Sequence, residues 1–257
     1  MNRKSFGING FTLKMIAVVS MLVDHIGATI VERILYGGWE LVDADTWYQL
    51  QQIDEILRSV GRLAFPIYGF LIVEGFTYTR SIKKYLLRLG MFALISEIPF
   101  DLAFHGVLLE GSNNNVFLTL TLGLAAITAM DAVDQAFPLM ETISWRKQIC
   151  RCFLMIASVV VPVMAAYGLH TDYGMAGVLS IILWYVFRQQ RLLAAGLVVL
   201  ELGLTCGTIE FWAILILIPL FLYNGKQGPK AKWFFYLFYP VHLLILTGIV
   251  YAMGLDF

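Results

Sequence analysis

A histidine stands at position 25 inside the run MIAVVSMLVDHIGATIVERIL, which begins at Met15 and is long and apolar enough to cross a bilayer. Ionisable side chains are costly at such depth and are kept there for a task. Imidazole titrates near neutrality, so a buried His25 is a candidate to remove a proton from a reacting group. Lys14 precedes it by eleven residues. At about 100° per residue that is close to three full turns, so the two share one helix face, roughly 16 Å apart along the axis. Asp24 points about 100° away from His25 and is not placed to pair with its ring. Another segment must supply that partner.

Further polar residues interrupt other apolar stretches. Arg62 opens GRLAFPIYGFLIVEGF, with Arg58 one turn earlier on the same face and Glu74 near the far end. Glu97 and Asp101 lie in SEIPFD around Pro99, which removes a backbone donor and disturbs its helix. Asn115 enters NVFLTLTLG, while Tyr239 and His242 belong to FYLFYPVHL, where Pro240 predicts a kink. Arg62 is expected to pair with Glu97 or Asp101, since each charge alone would be stranded in the membrane. A buried histidine can equally serve only to bond a neighbouring helix, and an arginine–carboxylate pair can be purely structural. His105 and His170 are expected in or beside solvated loops, and Glu201 is left without a reason.

These residues need a scaffold, and the composition names its kind. The chain of 257 residues is 59% hydrophobic and 14% charged with a mean hydropathy of +0.76, which excludes an ordinary soluble domain. Nine apolar segments follow: Phe11 to Ile34, Val60 to Phe76, Tyr85 to Phe104, Val116 to Val133, Ile149 to Tyr167, Tyr173 to Phe187, Leu192 to Cys206, Ile209 to Tyr223 and Trp233 to Met253. The sixth to eighth are short enough to form a re-entrant hairpin instead of crossing. Basic residues fall in alternate connections. Arg3 and Lys4 begin the chain, and Arg80, Lys83, Lys84 and Arg88, then Arg146, Lys147 and Arg151, then Arg188 and Arg191, then Lys226, Lys230 and Lys232 follow every second span. The connection after the first span is acidic, with Glu40, Asp43, Asp45, Asp54 and Glu55. The positive-inside rule then predicts an all-α, polytopic transmembrane helical bundle of about nine spans with a cytosolic N-terminus, forming one domain over residues 1–257. Cys150, Cys152 and Cys206 show no metal-ligand spacing and are expected to pack as apolar groups.

Five stretches occur in an order and spacing that resemble the TraX family: FTLKMIAVVSMLVDHIG, GRLAFPIYGFLIVEGF, the YLLRL to SEIPFDL block, NVFLTLTLG and FYLFYPVHL. The resemblance runs from about Phe11 to Leu244 and is strongest in the first 125 residues and the last span. The name-giving member is associated with acetylation of a pilin subunit. The family looks like a branch of the transmembrane acyltransferases that include acyltransferase family 3 and lysosomal heparan glucosamine acetyltransferase, which draw acetyl groups from cytosolic acetyl-CoA. Those relatives carry a basic residue, ten intervening residues and a histidine in their first helix. Lys14, MIAVVSMLVD and His25 reproduce that spacing, and Arg58 and Arg62 correspond loosely to a later arginine pair.

What the resemblance implies is an acetyl-CoA-dependent acyltransferase in the bacterial cytoplasmic membrane. His25 is then the general base. Glu97 or Asp101 is the candidate to orient it, and Arg62 or Asn115 to stabilise the oxyanion. The basic rim of Lys14, Arg80, Lys84 and Lys232 would hold the phosphates of CoA, with Asp24, Tyr239 and His242 as further pocket residues. The acceptor would be an amine or hydroxyl of a pilin-like peptide, a glycan or a small molecule, with no metal and no nucleic acid involved. The alternative is a small-molecule or proton-coupled transporter, because the same polar residues build proton relays; that reading predicts an inverted repeat, and the sequence has none.

Overall fold

The computed structural model describes residues 7–37, 42–138 and 144–255. Arg3, Lys4 and Glu40, used above to assign orientation, lie outside the described residues. The described chain is a helical membrane bundle. Asn9 starts α1 (Gly10–Ile26), its side chain accepting from the Thr12 N–H. The helix passes through a π-helical turn at Gly27–Val31 into the short α2 (Glu32–Gly37). Asp43 caps α3 (Ala44–Gly61), and a single turn at Arg62 and Leu63 leads directly into α4 (Ala64–Tyr78). The acidic connection after the first span is therefore a helix. It is amphipathic, with Asp45, Gln51, Gln52 and Glu55 exposed along it.

Ser81 caps α5 (Ile82–Phe104), and Asn115 caps α6 (Val116–Ala136). Then come α7 (Trp145–Gly168), α8 (Gly174–Val186) and α9 (Arg191–Thr205). Gly207, at φ 119°, reverses the chain into a 3-10 segment, Thr208–Ile216, continued by α10 (Leu217–Leu222). The last helix is α11 (Lys232–Ala252). Both α5 and α11 run through Pro99 and Pro240, so neither proline ends its helix.

Five helical runs are long and apolar enough to cross a membrane: Gly10–Gly37, Ala44–Tyr78, Val116–Ala136, Trp145–Gly168 and Lys232–Ala252. The shorter apolar run Thr208–Leu222 gains reach from its 3-10 portion. With a rise of about 2.0 Å per 3-10 residue and 1.5 Å per α residue it extends roughly 27 Å, near the ~30 Å of a hydrocarbon core.

Apolar surface is no more favoured against protein than against lipid tails, so close packing has to hold the helices together. α4 is the central element, touching α1, α6, α8, α9 and the 3-10 segment. Where α6 meets α8, a Cβ on Gly123 would lie 2.3 Å from Ile181 Cδ1; only glycine permits that approach. Trp184, Ile181, Leu124 and Ile67 are enclosed between these helices. α11 packs on α5, α1 and the π-helical turn, bringing the last span beside the first. Cys150, Cys152 and Cys206 are free and exposed on the bundle surface rather than in its core.

Candidate active site

The partner His25 lacked in its own helix comes from α11. His25 Nδ1 lies 2.7 Å from His242 Nε2, and the rings are nearly parallel at 6°. His242 Nδ1 lies 2.7 Å from the carbonyl oxygen of Phe238, one turn earlier. A carbonyl only accepts, so His242 carries its proton on Nδ1 and offers the lone pair of Nε2. His25 must then donate from Nδ1, which leaves its Nε2 unprotonated. No group among the described residues bonds that nitrogen. Phe104 and Tyr239 flank the His25 ring edge-on, at centroid distances of 5.5 and 5.9 Å. Glu97 and Asp101, the expected orienting groups, take no part, because His242 already occupies Nδ1.

A cavity of about 600 Å³ runs between α1, α4, α5, α6 and α11. Lys14, Arg88, Lys230 and Lys232 lie on its wall at the basic end of the bundle. Backbone bonds from Gly10 N–H to Lys226 O (2.7 Å) and from Ile8 N–H to Leu222 O (2.9 Å) tie the loop before α11 to the start of α1 there. Deeper in, the wall is aromatic and apolar: Tyr68, Tyr85, Tyr236, Phe117 and finally Tyr239, the residue that also touches His25. Of the expected basic rim, Lys14 and Lys232 lie on the cavity wall. Arg80 and Lys84 do not; they are exposed and off the cavity wall. Arg88 and Lys230, read in the sequence as orientation signals, line it as well.

Arg62 is held by Asp24 and Glu210, not by Glu97 or Asp101. Its Nη2 is 2.5 Å from Asp24 Oδ1, its Nη1 is 2.7 Å from Glu210 Oε1, and its Nε donates to Arg58 O at 3.0 Å. Arg58 joins the group through Asp24 Oδ2 (2.7 Å) and Glu32 Oε1 (3.2 Å). The physical reason is the turn between α3 and α4. It presents both arginines to α1, and Gly61 leaves no side chain in the way, since a Cβ there would sit 2.1 Å from Asp24 Oδ1. Asp24 and His25, about 100° apart, thereby serve two different sites.

The carboxylates of α5 have local tasks. Glu97 Oε2 accepts from the Asn115 side-chain amide, which also donates to Ala93 O at 2.7 Å. Asn115 Oδ1 meanwhile accepts from Phe117 N–H at 3.0 Å, capping α6. Asp101, wholly buried, accepts from Glu110 N–H at 2.8 Å and holds the loop beyond α5. His105 is half-buried, not solvated, and Glu201 accepts from Ser180 Oγ at 2.7 Å.

Comparison with known proteins adds a family to this geometry. The sequence profile described as TraX protein matches residues 9–250. The chain belongs to the TraX family. Every residue of the site, from Lys14 to His242, falls inside the region shared with TraX proteins. The chain is also similar to the probable fimbrial assembly protein FimC, serogroup H1, of Dichelobacter nodosus, with 26% identity over 270 residues, covering 95% of this chain and 97% of that protein. No solved structure matches it.

Proposed function

We propose that this TraX-family chain is a membrane acyltransferase that moves an acetyl group from acetyl-CoA to an amine or hydroxyl, with His25 as the general base. The observation that carries the reading is that His25, its Nε2 unbonded among the described residues, packs behind Tyr239, which lines the inner end of a cavity whose mouth is basic. The basic end faces the cytosol, and Lys14, Arg88, Lys230 and Lys232 hold the phosphates of the donor. The pantetheine arm follows the tyrosine-lined wall, bringing the thioester to Tyr239 and His25.

In the transfer step the acceptor's nitrogen or oxygen attacks the thioester carbonyl carbon while His25 Nε2 takes the acceptor's proton. The new C–N or C–O bond forms, the C–S bond breaks, and the proton on Nε2 passes to the leaving thiolate. His242 Nε2 accepts from the His25 imidazolium through Nδ1–H, holding the ring in one tautomer as the orienting member of a triad does. The acceptor is a pilin-like peptide, a glycan or a small molecule that enters from the other end of the bundle. The name of the Dichelobacter relative favours a surface-appendage subunit.

Protein purified in detergent is tested for acetyl-CoA binding and for release of free CoA thiol, beside His25→Gln. Saturable binding with thiol release in wild type only is the expected result. A His25→Gln protein that releases CoA at the wild-type rate overturns the assignment.

A further inference from the structure

An acyl transfer that leaves a proton on His25 also places negative charge on the carbonyl oxygen, and that charge needs donors. The two groups the sequence suggests are occupied. Asn115 has given one amide hydrogen to Ala93 O and the other to Glu97 Oε2. Arg62 is bound at all three nitrogens by Arg58 O, Asp24 and Glu210, and it is not on the cavity wall.

Tyr239 meets the requirement from three directions. It lines the cavity, its ring lies against both His25 (5.9 Å) and His242 (5.7 Å), and it is itself buried at 3% exposure. Its position is fixed by packing, with the Phe117 ring edge-on at 5.3 Å. No carbonyl or side chain among the described residues accepts from its hydroxyl, whose hydrogen is left to donate into the cavity that the residue lines. The start of α6 adds the positive end of a helix dipole behind it.

Resting on the acyltransferase reading, we propose that the Tyr239 hydroxyl is the oxyanion donor for the thioester carbonyl. Tyr239 transfers no proton in this role. It holds the oxygen while charge develops, and at the same time its ring closes the end of the donor cavity against His25.

The test is Tyr239→Phe, which keeps the packed ring and removes only the hydroxyl. With acetyl-CoA as donor and water as acceptor, kcat for CoA release is expected to fall about 10²- to 10³-fold, the usual cost of one oxyanion donor, with donor affinity unchanged. A second readout is independent of turnover. The infrared stretch of ¹³C-carbonyl acetyl-CoA bound to His25→Gln is expected below its value in solution, and adding Tyr239→Phe should remove that shift. Wild-type turnover with an unimpaired Tyr239→Phe, or an unshifted carbonyl in the His25→Gln background, overturns the tyrosine role alone. A wild-type protein that neither binds acetyl-CoA nor releases CoA overturns the acyltransferase reading and the tyrosine role together.

Discussion

His25 Nδ1 and His242 Nε2 lie 2.7 Å apart, and the second bond from His242 Nδ1 to Phe238 O decides the direction of the first. The pair joins the first described helix of the chain to the last, so the tautomer of His25 depends on the two spans staying in register. Replacing His242 with Ala removes the acceptor and frees the His25 ring to flip, and kcat should fall by about 10²-fold or more. His242→Gln retains an acceptor oxygen near the same place and should recover a substantial part of that loss. Equal activity of the Ala and Gln variants would mean that His242 does not act through the hydrogen bond.

The cavity separates basic residues that the sequence presents alike, and on the proposed reading they differ in donor binding. Lys14→Gln, Arg88→Gln and Lys232→Gln should each raise KM for the donor about tenfold, with kcat at saturation nearly unchanged, because phosphate contacts are the same in ground and transition states. Arg80→Gln and Lys84→Gln, exposed and off the cavity wall, should shift KM less than about twofold. Steady-state kinetics on the purified variants decides between the two sets.

Removing one side of a buried ion pair strands the other, typically at about 3 to 5 kcal/mol. Arg62→Met strands Glu210 fully but Asp24 only in part, since Asp24 keeps Arg58. The double variant Arg62→Met/Glu210→Gln should therefore recover more thermal stability in detergent than Arg62→Met/Asp24→Asn. The opposite order would show that Asp24 depends on Arg62 more than on Arg58.

Gly61→Ala tests the same cluster from the backbone. The new methyl would meet Asp24 Oδ1 at 2.1 Å, and α1 and α3 must separate or Asp24 must leave Arg62. Unfolding temperature should drop to about that of Arg62→Met, whereas a Gly90→Ala control has an open site with Thr121 Cγ2 at 4.0 Å and should tolerate the change.

Asp172 lies in the loop between α7 and α8, where burial pushes its carboxyl from 3.8 up to about 6 and Arg62 opposes the shift. A raised carboxyl pKa means that folding is penalised once the group must ionise. The penalty is absent below about pH 4, grows as pH rises toward 6 and is complete above it. Asp172→Asn should flatten that part of the stability curve and raise the unfolding temperature at pH 7. A lower unfolding temperature at pH 7 would show that Arg62 more than offsets the cost of burial.

Helix starts and apolar faces were legible because they are local properties. Asn9, Ser81 and Asn115 are capping residues directly before apolar runs, and each starts a helix in the structure. The same local reading takes the stretch after the first span as a plain connection, because α3 is too polar to register as a span. Its partners are Asp24 on α1 and Glu210 on the 3-10 segment, both reached through Arg62, and no periodicity within residues 44–61 announces them.

By itself the sequence determined that this is a helical membrane protein, that Lys14 and His25 share a face, and that Asp24 points elsewhere, since those follow from hydropathy and the fixed angle per residue of a helix. Only the tertiary structure decided which charges meet. Arg62 was expected to pair with Glu97 or Asp101, and it takes Asp24 and Glu210 because the α3–α4 turn faces α1 and the 3-10 segment while Glu97 is held by Asn115 and Asp101 by Glu110. Likewise His25 finds its partner 217 positions away in His242. A hydrogen bond acts over about 3 Å, and nothing in the order of residues along a chain states which helices will pack to bring two side chains within that distance.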